Sequence, residues 1–403
     1  MMVAKFQKKF TQQEAIPEQA IAKAVDVLKS GRIHRYNIVD GEVSETSLFE
    51  TEYAEYMGVK YVLSCASGGY AMHISLAAFG LQTGEPVLTN AFTLSPVPGA
   101  IHNAGGKSVL IETTEDLTMD LIDLEKKIIS SGSRVLLLSH MRGHIVDMQS
   151  LCKILKRYEV TLIEDCAHTM GAAWDSKKSG TYGLAGCFST QSYKHMNSGE
   201  GGIIVSNNKD FIARAIILSG SYQFYDQHNA APKEDFIEAM SLICPNYSGR
   251  MDNLRASILR PQLKLLQSNC ERWNERYATI EKILKKTNGI KLPQRSKKEK
   301  FVGSSIQFRI PDFCNKAVLL LVERCRKRGV VIKWFGNKKP IGYTSNHKSW
   351  NYLDYEELKE TDRVLSTLFD LRIPLTFTLE DCAQIGAIIC ECVIDIQKIK
   401  SSP

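Results

Sequence analysis

Short apolar runs alternate with longer segments of helical spacing through the first two-thirds of the chain. The apolar runs predict six strands, at Pro86–Thr89, Ser108–Glu112, Val135–Ser139, Thr161–Glu164, Gly186–Thr190 and Gly202–Ser206. Helical spacing between them predicts helices such as Gly69–Phe79, Leu121–Ser130 and Met148–Tyr158. Strands separated by helices of this length indicate βαβ units, and runs that are apolar throughout indicate a sheet covered on both faces. The pattern predicts an α/β fold with a mostly parallel sheet.

A second pattern begins after a long helical stretch at residues 251–286. It predicts a strand at Ser304–Ile310, a helix at Lys316–Arg328, a strand at Val330–Trp334 and a C-terminal helix at Leu379–Ile396. These elements indicate a smaller α+β unit joined to the sheet by the long helix. We therefore expect two domains: residues 1–265, with the N-terminal segment, form the large α/β domain, and residues 266–403 form the small one.

The composition narrows the class of protein. The chain has 403 residues, 44% of them hydrophobic and 24% charged, as in ordinary globular proteins. Its net charge of +7 is spread out, with one basic cluster at Arg295–Lys300, so we do not expect a nucleic-acid partner. Eleven cysteines without a CxxC pair predict reduced thiols in a cytoplasmic protein. The sequence shows neither a signal-peptide core nor an 18-residue apolar run, so we expect no membrane association.

The stretch TLIEDCAHTMG (161–171) ends a predicted strand in two acids, with His168 close behind. Ligands of parallel α/β sheets bind beyond the carboxyl ends of the strands, so Asp165 is placed where a ligand would lie. The alternative is that Asp165 caps the start of a helix, because aspartate is a favoured N-cap residue.

Two further stretches complete a possible cofactor site. Ser67, Gly68 and Gly69 precede a helical run, where free amides and the helix dipole can hold a phosphate. Lys194 lies in the turn SYKHMNSGEGG (192–202), after a predicted strand. Pyridoxal phosphate (PLP) needs such a cradle, an acid for its ring nitrogen and a lysine that forms a Schiff base. The alternative for Lys194 is a solvated surface lysine.

These stretches also resemble a known family. EDCAHTMGA and GTYGLAGCFSTQSYKHMNSGEGGIIVSNN are similar to the signature of the DegT/StrS-type aminotransferases, as are NAFTLSP and RMDNLRASILRPQL. The resemblance implies PLP fold type I, with a large domain whose mostly parallel sheet is flanked by helices and a smaller C-terminal domain. It implies transfer of an amino group from glutamate or glutamine to a keto or aldehyde carbon of a sugar, nucleotide-linked sugar or cyclitol.

The resemblance also implies roles for individual residues. Lys194 would form the Schiff base, Asp165 would pair with the pyridine nitrogen, and His168 would lie against the ring or its O3′ oxygen. The phosphate would contact Ser189 and the amides of Gly69 and Tyr70, near Ser67 and Gly68. Asn246 of the partner subunit, with Arg250 beside it, would reach the same phosphate. The implied assembly is a homodimer with shared active sites.

Three positions depart from the family pattern. Gly69 replaces a threonine, Leu94 stands where an aromatic residue stacks on the cofactor, and His195 replaces an asparagine. His195 would contact the substrate or only pack. The alternative functions are a dehydratase or lyase on the same fold, or a PLP-binding regulator. Some relatives that replace the lysine with histidine are dehydratases. This chain keeps the lysine, which favours amino-group transfer.

Two other stretches remain open. HMRGH (140–144) spaces two histidines by four, but we expect a loop and no metal site. The aromatic and glycine-rich stretch 334–350 is either an ordinary loop or a lid over the substrate.

Overall fold

The computed structural model describes residues 3–342, 344–354 and 356–401. The strands in these ranges are β1 (Tyr61–Cys65), β2 (Pro86–Asn90), β3 (Lys107–Ile111), β4 (Val135–Ser139), β5 (Thr161–Asp165), β6 (Ala173–Trp174), β7 (Lys177–Lys178), β8 (Ala185–Ser189), β9 (Gly202–Ser206), β10 (Glu299–Lys300), β11 (Ser305–Arg309), β12 (Lys333–Trp334) and β13 (Leu368–Arg372). The α-helices are α1 (Glu18–Ser30), α2 (Glu45–Met57), α3 (Gly68–Phe79), α4 (Pro96–Asn103), α5 (Leu121–Ser131), α6 (Met148–Arg157), α7 (Lys209–Leu218), α8 (Glu234–Ser241), α9 (Asn253–Leu284), α10 (Asn315–Lys327), α11 (Lys359–Leu365) and α12 (Leu379–Ser401).

A seven-stranded sheet forms the centre of the molecule, in the order β1-β9-β8-β5-β4-β2-β3. β3, β2, β4, β5 and β8 pair in parallel, and β9 is antiparallel to both of its neighbours. All six strands predicted for the first two-thirds belong to this sheet, with ends within one residue of the prediction. The expectation of a mostly parallel sheet is confirmed.

The large sheet is apolar on both faces. Leu136 and Leu138 of β4 lie in one core cluster, whereas Val135 and Leu137 lie in another on the opposite face. Helices α2, α5, α6 and α9 contribute to the first cluster, and α3, α4 and α7 to the second. Successive residues of a strand point to opposite faces, so a strand covered on both sides is apolar throughout.

A smaller antiparallel sheet has the order β11-β13-β12, and a third short sheet joins β10, β6 and β7. One face of the smaller sheet packs Ile306, Phe308, Phe369 and Leu371 against α10 and α12. β13 was not predicted, and the strand predicted at Val330–Trp334 is limited to Lys333–Trp334.

The expected division at residue 265 falls inside the continuous helix α9. The N-terminal segment was assigned to the large domain, but Phe6 and Phe10 lie in the core of the C-terminal unit. Phe6 packs edge-on against Phe377 at 5.2 Å between ring centroids. Aromatic side chains bury large apolar areas, so these two residues attach the start of the chain to its end. The division into two domains otherwise stays a prediction.

None of the described helices is both long enough and apolar enough to cross a membrane.

Candidate active site

Asp165 lies at the carboxyl end of β5, and its side chain is held by two donors. Ser139 Oγ donates to Oδ2 at 2.8 Å, and the Ala167 amide donates to Oδ1 at 3.1 Å. Ser139 in turn accepts from Thr93 Oγ1 at 2.8 Å. Residues 166–172 form no helix, so the interpretation of Asp165 as a helix cap is wrong. The carboxylate is 5% exposed and retains lone pairs for a further donor.

Lys194 lies in the turn after β8, with Nζ 3.0 Å from Nε2 of His168. Burial is the largest cause that lowers the pKa of Lys194 to about 8; within that net shift the Asp165 charge acts upwards and the Arg142 charge acts downwards. Burial, with the charges of Lys194 and Arg142, holds the pKa of His168 well below its ordinary value, so the imidazole is neutral. The amine is therefore partly neutral near physiological pH and can act as a nucleophile or exchange a proton.

The start of α3 forms a close-fitting turn. Ser67 caps the helix by accepting from the Tyr70 amide at 3.1 Å, so the predicted contact of that amide with phosphate competes with the cap. A methyl carbon added at Gly68 would lie 2.8 Å from Ser189 Cβ, whereas one at Gly69 would meet only Pro96 Cβ at 3.8 Å among its neighbours outside the turn. Because the first amides of a helix have no intrahelical acceptor, those of Gly68 and Gly69 are suited to an anion beside Ser189.

Two residues near the site were missed from the sequence. Ser139 orients Asp165, and the signal was a polar residue closing an otherwise apolar strand. Arg142 has a left-handed backbone with φ 55°, a conformation that is unusual for a residue other than glycine and clusters at functional sites. Its Nη2 lies 2.9 Å from Oδ2 of Asp370 in the small sheet. No local sequence motif predicts the contact between Arg142 and Asp370.

The sequence profile of the DegT/DnrJ/EryC1/StrS aminotransferase family matches residues 14–390. The chain belongs to this family. GDP-perosamine synthase of Caulobacter vibrioides is 30% identical over 237 residues, which are 59% of this chain and 59% of that protein. L-glutamine:2-deoxy-scyllo-inosose aminotransferase of Streptomyces lividus is 29% identical over 262 residues, 62% of this chain and 59% of that protein. The matched segments thus span less than two thirds of these relatives.

The crystal structure of 3-amino-5-hydroxybenzoic acid synthase is similar in fold, with a TM-score of 0.81 at 22% identity over 97% of this chain and 100% of that one. The expected fold, fold type I of the PLP enzymes, is confirmed.

Two of the departures from the family pattern, His195 and Leu94, have different neighbours in the structure. His195 is 5% exposed, packs edge-on against Trp273 at 5.1 Å and bonds through Nε2 to Ser304 Oγ at 3.2 Å. Burial and the Lys194 charge lower its pKa to about 3. Of the two alternatives for His195, these contacts favour packing.

Leu94 is half-buried against an apolar cluster that includes Phe92, and its role towards a cofactor stays a prediction.

Asn246 is exposed in the segment between α8 and α9. Arg250, which the resemblance places beside Asn246 at the phosphate, donates to Gly220 O at 2.7 Å and to Ser248 Oγ at 3.1 Å. Arg250 is thus engaged within its own chain, whereas Asn246 is placed on the surface.

The two histidines of HMRGH contact different partners. His140 Nε2 lies 3.1 Å from Glu164, and His144 Nε2 lies 2.8 Å from Gln307 Oε1. His140, Glu164 and Cys166 present atoms within 4.8 Å of one another, a spacing that a metal ion could use. Burial, aided by the Glu164 charge, raises the pKa of the Cys166 thiol well above its ordinary value, which disfavours the thiolate that metals bind. The expectation of no metal site stays a prediction.

The stretch 334–350 is anchored near both ends. Phe335 is buried beside Phe92, and Trp350 is buried beside Leu358. Between them, Asn346 donates to the carbonyls of Phe335 and Asn337, both at 2.9 Å. Tyr343, which belongs to this stretch, is outside the described residues. A lid function stays a prediction.

Proposed function

We propose that this chain is a PLP-dependent aminotransferase that moves an amino group from glutamate or glutamine to a keto or aldehyde carbon of a sugar, nucleotide-linked sugar or cyclitol. The observation that carries the proposal is the placement of Lys194 Nζ beside a neutral His168. Membership of the aminotransferase family supports the reaction. The names of the two relatives, GDP-perosamine synthase and L-glutamine:2-deoxy-scyllo-inosose aminotransferase, support the donor and acceptor classes.

The residues present fit PLP. Its phosphate suits the amides of Gly68 and Gly69 beside Ser189, where a Cβ at residue 68 would fill the space. Asp165 is buried and fixed by Ser139, so it can hold a proton on a ring nitrogen. When bound, PLP supplies a carbonyl carbon for the lysine amine and a protonated ring that accepts electrons.

Lys194 would carry the proton transfers of the reaction. Its pKa of about 8 leaves both the neutral amine and the ammonium populated, so the same group can take a proton and return it. Neutral His168 lies within hydrogen-bond distance of Nζ and holds the amine in one orientation. Ser139 and Thr93 act as positioning residues for Asp165.

The test begins with Lys194→Ala and absorbance spectra. We expect wild-type protein to trap cofactor covalently on borohydride reduction and to convert it to pyridoxamine phosphate with glutamate or glutamine. The variant should lose both properties and its turnover. Screening keto-sugar nucleotides and keto-cyclitols against the pyridoxamine form then identifies the acceptor. Substantial turnover in Lys194→Ala would refute the role of Lys194. Elimination of water from the substrate by the wild type, without amine transfer, would favour a dehydratase. Cofactor binding by the wild type without any turnover would favour a regulator.

The proposal includes a homodimer in which Asn246 of the partner subunit completes the phosphate site. An exposed apolar surface supports it: Leu242, Ile243 and Tyr247 are 90%, 69% and 61% exposed. This surface adjoins α3, because Tyr70 Oη donates to the Tyr247 carbonyl at 2.7 Å. Contiguous exposed apolar residues mark interaction surfaces, and in this family's architecture a second copy is the fitting occupant.

Subunit complementation tests the shared site. Lys194→Ala and Asn246→Ala proteins, each with little activity, are mixed under conditions of subunit exchange. We expect heterodimers to regain one working site, because both lesions fall together in the other site. The Arg250 side chain is left unchanged, since it supports its own chain. Confirmed exchange without recovery of activity, or a fully active monomer, would contradict the shared site.

A further inference from the structure

The small sheet has a polar face as well as an apolar one. Asp370 on β13 is paired with Gln307 on β11 and with Lys333 on β12, and Arg372 is two residues further along β13. Residues directly opposite each other, and residues two apart on a strand, share a face of a sheet. Phe308, Phe369 and Leu371 occupy the other face, in the core of the C-terminal unit. Gln307, Lys333, Asp370 and Arg372 therefore form one surface, which we call the polar face.

This polar face meets the turn regions of the large sheet that carry Lys194. Arg142, which follows β4, places Nη2 2.9 Å from Asp370 Oδ2. Arg372 Cζ lies 4.3 Å from the ring centroid of Tyr193, the residue before Lys194. The charges of Arg142 and Lys333 both lower the pKa of His168, the neighbour of the Lys194 amine, although burial is the largest cause. The polar face and Lys194 thus border the same space.

The polar face is held rigidly by hydrogen bonds. Gln307 Nε2 donates to Asp370 Oδ1 at 2.8 Å and to Ser305 Oγ at 2.8 Å, and Gln307 Oε1 is bonded to His144 Nε2. Gln307 and Asp370 are 0% and 1% exposed. Buried polar groups with partners fix one geometry, so the Gln307–Asp370 pair at the centre of this face is preorganised.

Positive charge exceeds negative charge in this space. The acidic and basic side chains that border it are Lys194, Arg142, Lys333, Arg372, Asp165 and Asp370, beside the neutral imidazole of His168. The pKa of Arg372 is lowered to about 10, chiefly by burial; Tyr193 opposes this shift and the Arg142 charge adds to it. Burial and the charges of Arg142 and Arg372 likewise lower the pKa of Lys333, against the opposite effect of Asp370. Buried charges of one sign are costly unless an opposite charge joins them.

The guanidinium of Arg142 is incompletely bonded. Its side chain is 11% exposed, yet Nε and Nη2 have no hydrogen-bond partner among the described residues, and neither has Asp370 Oδ2. The 2.9 Å contact between the two groups is thus an ion pair without hydrogen-bond geometry. Guanidinium groups suit planar anions because two parallel N–H groups can donate to two oxygens.

Resting on the aminotransferase function proposed above, we propose that Arg142, with Lys333 and Arg372 of the polar face, binds a carboxylate of the substrate next to the carbon that reacts at Lys194. An amino acid carries a carboxylate on the same carbon as its amino group, so the α-carboxylate of the donor meets this requirement. A carboxylate on the keto acceptor would meet it too. The shared chemistry is a carboxylate held beside the amine, and the two sources are separated by experiment.

The experiment compares wild type with Arg142→Met and Arg142→Lys, all saturated with PLP. Glutamate is tested against its α-amide, glutarate serves as a non-reacting probe measured by calorimetry, and a keto-uronic acid is tested against the matched neutral keto-hexose. Arg157→Met, on an exposed arginine paired with Glu125, is the control and should match wild type.

We expect Arg142→Met to raise the Kd of glutamate and glutarate about ten- to hundredfold, with a smaller change in the maximal rate and little change for the α-amide. Arg142→Lys should lie between, because it keeps the charge and loses the planar fork. A loss seen only with the keto-uronic acid would assign the carboxylate to the acceptor.

Affinities within twofold of wild type for glutamate, glutarate and the keto-uronic acid would overturn the subsite. If Arg142→Met does not fold, unchanged affinities in Arg142→Lys would overturn it equally. Failure of the wild type to transfer an amino group would instead refute the proposed function, and glutarate binding would still decide the subsite.

Discussion

The large sheet places the proposed cofactor-binding residues at the ends of strands, whereas the small sheet places the proposed carboxylate-binding residues along one face. Asp165 ends β5 and Lys194 lies in the turn after β8, so both project from the carboxyl-end edge of these two parallel strands. Gln307 and Asp370 instead alternate with core residues within their strands. In the function proposed here, this difference separates two tasks: the strand ends carry the reactive groups, and the polar face carries the charges that bind an anion.

The strand ends of the large sheet and the polar face of the small sheet also differ in how their side chains are stabilised. At the strand ends a few side-chain bonds, such as that from Ser139 to Asp165, orient groups on a rigid apolar sheet. On the polar face, each buried group needs a partner, and Gln307 supplies one to Asp370 while His144 supplies one to Gln307. We therefore expect changes at the strand ends to affect the chemical step or the cofactor, and changes on the polar face to affect affinity for anionic substrates.

The largest expected effect follows from Asp165→Asn. The change removes the charge that would keep a ring nitrogen protonated, while the amide can still accept from Ser139. We expect turnover to fall about 10²- to 10³-fold, with the Kd of glutarate unchanged. Single-turnover rates with glutamate and calorimetry with glutarate measure the two quantities, and exposed Asp210→Asn is the matched control. A parallel loss of glutarate affinity would contradict the separation between the chemical step at the strand ends and anion binding at the polar face.

A smaller effect is expected from Gly68→Ala. The added Cβ would lie 2.8 Å from Ser189 Cβ, so the proposed phosphate contacts must shift. We expect the Kd of PLP, measured by absorbance after dialysis, to rise about tenfold, since each tenfold change corresponds to about 1.4 kcal/mol. Gly69→Ala, whose Cβ meets only Pro96 at 3.8 Å outside its own turn, is the matched control. Equal losses in both variants would argue against a steric cradle at residue 68.

The smallest expected effect is on the pH dependence of PLP capture. It depends both on Asp165 at a strand end and on Arg142 beside the polar face. Lys194 has a pKa of about 8, which the Asp165 charge raises and the Arg142 charge lowers. An amine attacks only when neutral, so capture of PLP by the cofactor-free protein should speed up as the pH rises through the pKa of Lys194. We expect the midpoint to move up by about one pH unit in Arg142→Met, because a repelling cation is lost, and down in Asp165→Asn. Stopped-flow absorbance measures the rate; shifts in the same direction in both variants would contradict this balance of charges.

The class of fold, six of the seven strands of the large sheet and the resemblance to the family could be predicted from the sequence, whereas β1 was missed. Continuous apolar runs and helical spacing are local signals, and residues such as Asp165 and Lys194 lie next to them in short motifs. Even the corrected interpretation of Asp165 as a helix cap concerned a strand end that was predicted within one residue.

Which residues from distant parts of the chain lie near Lys194 could be seen only in the folded structure. Arg142 and Asp370 are far apart in sequence, and their contact depends on how the small sheet packs against the large one. The strand LFDLR (368–372) mixes charged and apolar residues, and its burial on both faces arises only from packing. His195 next to Lys194 was equally ambiguous until Trp273 and Ser304 were found around it. Such contacts leave no periodic signal, because they join single residues of separate elements rather than neighbours on one of them.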